Sequence, residues 1–96
     1  MDTATILTLV KARIGISSNI RDTYLSAIVE SVIKELEYEK GIKLDPENMI
    51  HVMFIVDYST WRYESKGSEK SMPRHLKFRL HNLFISQAKG DSNDTI

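Results

Sequence analysis

Hydrophobic residues recur at helical spacing along the chain, in segments separated by polar or glycine-containing breaks. The first segment spans residues 3–14, where Asp2 or Thr3 can cap a helix and Gly15 can end it. Asn19 is placed to cap a second helix, and Gly41 marks its exit. This second helix has the clearest apolar stripe, formed by Tyr24, Leu25, Ile28, Val29, Val32, Ile33 and Leu36.

A third helix is predicted from Pro46 to about Glu64. Asp45, Pro46 and Glu47 combine an N-cap, a proline at the first helical position and an acid, which together favour a helix start. Residues 49–56 are apolar on nearly every side, and such a helix is usually surrounded by others. We therefore expect this helix to be the centre of the core.

A fourth helix is predicted behind Pro73, and residues 66–71 before it are predicted to form an exposed loop. The apolar stripe of this helix is Leu76, Leu80, Leu83 and Phe84, whereas Phe78 and Ile85 lie off it and indicate a second contact surface. Residues 76–80 also alternate with period two, so a short strand is the alternative there.

Helices of this size can bury their stripes only against each other. The sequence therefore predicts an all-α fold, a compact bundle of about four helices with a central apolar third helix. A single helical domain is expected over residues 1–88. Residues 89–96 are polar and glycine-containing, and they are expected to form a flexible C-terminal tail.

Length, composition and charge argue against several classes of protein. The 96 residues fit one domain, and the absence of cysteine excludes disulfides and thiolate metal sites. The formal net charge is zero, so global attraction to nucleic acid or anionic membranes is not expected. The longest apolar stretch, residues 52–56, is too short for a bilayer, and Asp2 stands where a signal peptide needs basic residues. We expect no membrane association and synthesis in the cytosol.

The sequence offers little for catalysis, metal binding or a cofactor. His51 lies on the apolar third helix and is expected to be structural, while His75 and His81 are not on one helical face. No nucleophile elbow or phosphate-binding glycine loop is present, and the acids of the second helix are expected to form a solvated face. We therefore predict that the protein is not an enzyme and has no cofactor.

The fourth helix is basic. Residues 72–89 include Arg74, Lys77, Arg79 and Lys89 and contain no acid, so the helix could lie along phosphates. The alternative, which the neutral total charge favours, is that its cations face the acidic second helix of the same or a neighbouring subunit. A helix-turn-helix around residues 14–19 is disfavoured, because a recognition helix presents arginine, lysine or amides, whereas the second helix is rich in glutamate.

Two groups of residues are candidates for protein contacts. Trp61 and Tyr63 flank Arg62, and these residue types are enriched at interface hot spots. One of the two aromatic side chains is expected to close the core and the other to contact a partner. The predicted partner interface comprises Trp61, Arg62, Tyr63, Arg74, His75, Lys77 and Arg79, and the predicted acidic partner face comprises Glu30, Glu35, Glu37 and Glu39.

The order of these features over residues 9–86 resembles the small head-tail connector, or head-completion, proteins of long-tailed phages and prophages. The resemblance rests on four segments: VKARIGI at 10–16, EKG at 39–41, DYSTWRY at 57–63 and MPRHLKFRLHNL at 72–83. The last of these is the most specific.

The resemblance implies a non-enzymatic virion protein at the head-tail interface, made in the host bacterial cytoplasm. It implies a homo-oligomeric, dodecamer-like ring beneath the portal protein, which extends the DNA channel and binds the next head-tail joining or tail protein. DNA would pass through without sequence-specific binding. A closed ring needs two different surfaces that meet, and the acidic second helix and basic fourth helix would satisfy this requirement. A small helical DNA-binding or regulatory adaptor protein of a prophage is the alternative function.

Overall fold

The computed structural model describes the backbone of residues 1–65 and 71–94 and the side chains of residues 1–65 and 71–87. The described residues form helices α1 (Thr3–Ile14), α2 (Asp22–Lys34), α3 (Met49–Glu64) and α4 (Arg74–Asp94), and α2 continues into a π-helical turn (Glu35–Glu39). The predicted all-α bundle is confirmed. Residues 76–80 are helical, so the alternative of a short strand there is wrong.

Helix α1 has the ends that its sequence predicts. The Asp2 side chain accepts a hydrogen bond from the Ala4 backbone N–H at 3.1 Å and one from the Thr5 hydroxyl at 2.7 Å. Gly15 lies in the left-handed region at a φ of 89°, and its N–H donates to the Lys11 carbonyl at 2.8 Å. An aspartate cap and a left-handed glycine therefore define this helix.

The predicted capping of α2 by Asn19 is wrong. Arg21 occupies the N-cap position and makes no side-chain capping bond. The Asn19 side-chain oxygen instead accepts a hydrogen bond from Lys11 Nζ at 3.0 Å, and the same amine lies 2.8 Å from an Asp22 carboxylate oxygen. The Asn19 oxygen that was expected to cap α2 thus binds a lysine of the neighbouring helix instead. This lysine joins the end of α1 to the start of α2.

The start of α3 is also later than predicted. Asp45 caps a turn rather than a helix, because its carboxylate accepts from the Glu47 N–H at 2.9 Å and its carbonyl from the Asn48 N–H at 3.0 Å. Asn48 is the true N-cap, accepting from the Ile50 N–H at 2.9 Å. Two side chains that can cap occur three residues apart, and the second one initiates the helix.

Helix α3 is central, as predicted, because it packs against α1, α2 and α4. Its core residues include Phe54, Ile55 and Val56, each almost fully buried. The beginning of the helix is less enclosed, and the exposed apolar side chains in its first two turns are Met49, Ile50 and Met53.

Helix α4 packs against α3 alone among the described helices. Leu76 and Leu83 are buried at this contact, and the partly buried Leu80 adds to it. The helix continues through Asp94, into the segment predicted as a flexible tail, whereas residues 95 and 96 of that predicted tail lie outside the described residues. Most of the predicted exposed loop, residues 66–70, also lies outside them.

Candidate docking surfaces

Asp57 joins three helices. One of its carboxylate oxygens accepts a hydrogen bond from Arg79 of α4 at 2.7 Å, and the other lies 3.7 Å from Nε of Arg13 of α1. The Arg79 guanidinium also lies over the Phe54 ring, 5.5 Å from its centroid. Arg79, a predicted interface residue, is therefore already paired within the chain.

A second polar network joins α2 to α3. The Tyr58 hydroxyl donates to one carboxylate oxygen of Glu35 at 2.5 Å, and Arg62 donates to the other at 2.9 Å. Arg62 also donates to the Tyr58 hydroxyl at 2.7 Å and to the Ser31 hydroxyl at 3.2 Å. Glu35 and Arg62 were predicted on opposite sides of a subunit contact, and the structure pairs them with each other inside one chain.

The network shifts the pKa values of its members and so reinforces their ordinary protonation states at neutral pH. Burial alone would raise the pKa of the Glu35 carboxyl, but hydrogen bonds from Tyr58 and Arg62 and the nearby positive charge hold that pKa below its usual value. Burial, with the hydrogen bond to Glu35, raises the pKa of Tyr58 to about 12. Glu35 is therefore an anion and Tyr58 a neutral donor at neutral pH, which is the arrangement that their hydrogen bond requires.

The two predicted aromatic residues both pack against the core. Tyr63 is buried, accepts a hydrogen bond from Arg21 and meets the Tyr24 ring at a centroid distance of 6.1 Å. Trp61 is partly buried and stacks on Tyr58 at 6.0 Å. Tyr63 is thus the residue that closes the core, and Trp61 keeps a partly accessible ring beside the Glu35 network.

The remaining predicted interface residues, Arg74, His75 and Lys77, are exposed on α4. At the rotation of 100° per residue of an α-helix, Leu76 and Leu83 point towards α3 and leave the opposite side unpartnered. We call that side the basic α4 face; its exposed residues are Arg74, Lys77, Phe78, His81 and Ile85. An open depression of about 700 Å³ adjoins it, lined by Arg74, His75, Phe78 and Arg79.

An acidic surface lies at the end of α2. Tyr38 projects from the π-helical turn with 80% of its surface exposed, whereas Leu36 from the same turn is fully buried. Open grooves of about 350 and 440 Å³ both include Tyr38 in their lining. We call this region the acidic Tyr38 surface; its exposed acids around Tyr38 are Glu30, Glu37 and Glu39, and two exposed lysines lie among them, Lys34, which lines both grooves, and Lys40.

The two surfaces do not neutralise each other within one chain, because α2 and α4 do not pack together among the described residues. The prediction that the cations of the fourth helix face the second helix of the same subunit is therefore wrong. Contact with the second helix of a neighbouring subunit stays a prediction.

His51 has a local role, since its Nδ1 accepts a hydrogen bond from the Asp45 backbone N–H at 3.0 Å.

Within residues 1–65 and 71–87, no group of three or more histidine, aspartate or glutamate side chains is arranged to hold a metal ion. Among the described helices, none is long and apolar enough to cross a bilayer.

Sequence reasoning missed Asp57 and Tyr38. A signal existed for Asp57, because a lone acid after the apolar run of residues 49–56 calls for a cationic partner. A signal existed for Tyr38 as well, because it follows Leu36 of the apolar stripe by two residues, which at 100° per residue puts it on the opposite side of the helix. Comparison of the chain with protein-family models, curated proteins and solved structures finds no match.

Proposed function

We propose that the chain is a non-enzymatic structural subunit of a phage or prophage head-tail connector, a head-completion protein that forms a ring beneath the portal. The supporting observation is the pair of oppositely charged, exposed surfaces on helices that do not pack on each other. A closed ring is built from one surface of each subunit that meets a different surface of the next. One chain with both surfaces meets this requirement.

The partners in this proposal are further copies of the chain in a dodecamer-like ring, the portal protein above and the next joining or tail protein below. The ring extends the DNA channel in the virion, and the subunits are made in the bacterial cytoplasm. The basic α4 face lies away from the lumen, because cations along a channel would retain the phosphates of passing DNA. The subunit uses no cofactor.

A small DNA-binding or regulatory adaptor of a prophage is the second candidate. The observation that favours it is the same basic α4 face, on which Arg74 and Lys77 have no ion-pair partner among the described residues. The exposed glutamates of α2 and of the π-helical turn that continues it argue against DNA contact through the second helix, since they would repel phosphates.

Binding to the portal protein encoded by the same genome tests the proposal. We expect the purified chain to co-sediment with portal rings and to appear in electron micrographs as an added ring on one end. The added ring should be absent from portal alone. Intact portal and folded chain that fail to associate would contradict the connector function. A shift of duplex DNA at low salt that disappears as salt rises would then support the adaptor.

A further inference from the structure

We propose that the basic α4 face of one copy binds the acidic Tyr38 surface of a second copy. Phe78 would pack beside Tyr38, and Arg74 and Lys77 would meet Glu37 and its acidic neighbours. This contact rests on the proposed ring and deepens it, because it specifies which surfaces join adjacent subunits.

The outward side of α4 is free to bind because the fold does not use it. Leu76 and Leu83 anchor the helix to α3, and both are almost completely buried. Phe78 on the opposite side exposes 65% of its surface, and Ile85, about two turns further along the same side, is also exposed. These two apolar side chains and the cations beside them give this side of α4 the composition of a protein contact surface.

The Tyr38 surface has the complementary properties. Tyr38 is a large, exposed aromatic residue with a groove on either side of it. Glu37 and Glu39 flank it in sequence and are exposed. Opposite charges around an apolar contact fix its orientation and exclude incorrect pairings.

Charge also favours a second copy of the chain as the partner, and it favours contact between two unlike surfaces over contact between two α4 faces. Two α4 faces placed together would bring Arg74 and Lys77 of both copies into proximity, and such like-charge contacts are unfavourable. The contact between α4 and the Tyr38 surface brings opposite charges together instead. When the contact is made once between two copies, one surface of each kind stays unused, so further copies can add, and the series closes into a ring where the rotation between neighbours allows it.

Arg79 and Glu35 have suitable charges but are not part of the proposed contact. Arg79 is paired with Asp57 at 2.7 Å, and Glu35 is paired with Arg62 at 2.9 Å. Reversing either charge would disrupt contacts within a chain. Arg74, Lys77 and Glu37 are exposed, so their reversal reports on the contact between copies.

Disulfide trapping tests the contact directly, because the chain contains no cysteine. Phe78→Cys and Tyr38→Cys variants are prepared separately, mixed and oxidised, both at high protein concentration and with portal rings. We expect the mixture to give at least about tenfold more covalent dimer than either variant alone. A mixture of Phe78→Cys with Ser17→Cys is the matched control, since Ser17 is exposed but lies outside both surfaces.

Charge exchange provides a second readout without cysteine. Lys77→Glu alone and Glu37→Lys alone should each reduce assembly at least about tenfold, and a chain that carries both changes should recover it. Glu47→Lys, at an exposed position outside both surfaces, should have no effect. Equal loss in the single and double variants would overturn the proposed pairing.

The results separate this contact from the connector function. Rings on the portal without trapping between Phe78 and Tyr38, or stronger trapping by Phe78→Cys alone, would overturn the contact and leave the connector function standing. Trapping without any portal association would support the contact and contradict the connector function. Loss of both trapping and portal association in folded protein would count against both.

Discussion

Replacing Phe54 by alanine is expected to lower the free energy of unfolding by about 3–5 kcal/mol. The side chain is fully buried in the central helix, against Tyr58 at a ring-centroid distance of 5.8 Å and beneath the Arg79 guanidinium. Its removal leaves a cavity between α3 and α4 that rigid neighbours cannot fill. Urea unfolding followed by circular dichroism measures the change.

Phe78→Ala is the matched control, because it removes the same atoms from an exposed position. We expect its effect on the free energy of unfolding to stay within about 0.5 kcal/mol. Equal destabilisation by the two variants would show that Phe78 is buried in the folded monomer and that α4 packs differently. The control also establishes that variants of Phe78 fold, which the trapping experiment requires.

Glu35→Gln is expected to lower the free energy of unfolding by about 2 kcal/mol at neutral pH. The substitution preserves the shape of the side chain but replaces the carboxylate, which accepts hydrogen bonds from Tyr58 and Arg62, by a neutral amide. The figure lies below that for a fully buried pair, because the Glu35 and Arg62 side chains remain 21% and 30% exposed. Chemical denaturation at several pH values measures the effect.

The pH dependence follows from the lowered pKa of Glu35. Its stabilisation is present in full above the unfolded-state pKa of about 4.3 and is lost as the pH falls through the lower folded-state value. The difference in stability between the wild type and Glu35→Gln should therefore shrink as the pH is lowered from about 5 towards 3. Glu37→Gln, at an exposed site in the π-helical turn, should show little difference at any pH. A constant deficit for Glu35→Gln would contradict the role of its charge.

The helices could be predicted because their signals are local. Asp2 and Gly15 bound α1 through contacts within four residues, and the apolar run of residues 49–56 identifies the central helix without any tertiary information. The starts of α2 and α3 were predicted wrongly for different reasons. At α2, Lys11 of the neighbouring helix binds the Asn19 side chain that was expected to be the cap. At α3, Asp45 and Asn48 both can cap, and their sequence does not show which one begins the helix.

The partners of the charged residues could not be predicted for a different reason. Arg79 and Asp57 are 22 positions apart, and Arg62 and Glu35 are 27 apart, so their pairing depends on how the helices cross. Residue type identified Arg62 and Arg79 as important but assigned them to a partner molecule. Phe78 and Ile85, in contrast, were predicted to lie off the apolar stripe of α4, and both are exposed.

The limited anchoring of α4 has a consequence for local unfolding. Among the described helices, α4 packs only against α3, and two hydrogen bonds of Gln87, to the Lys43 N–H and the Gly41 carbonyl, join it to the segment after the π-helical turn. The helix can therefore separate while the contacts among α1, α2 and α3 remain. Its backbone amides should therefore exchange hydrogen with solvent more rapidly than those of α3. In the proposed contact between copies, only a subunit whose α4 is packed on α3 can assemble. Each added subunit would therefore favour the packed state and slow amide exchange in the α4 that it covers.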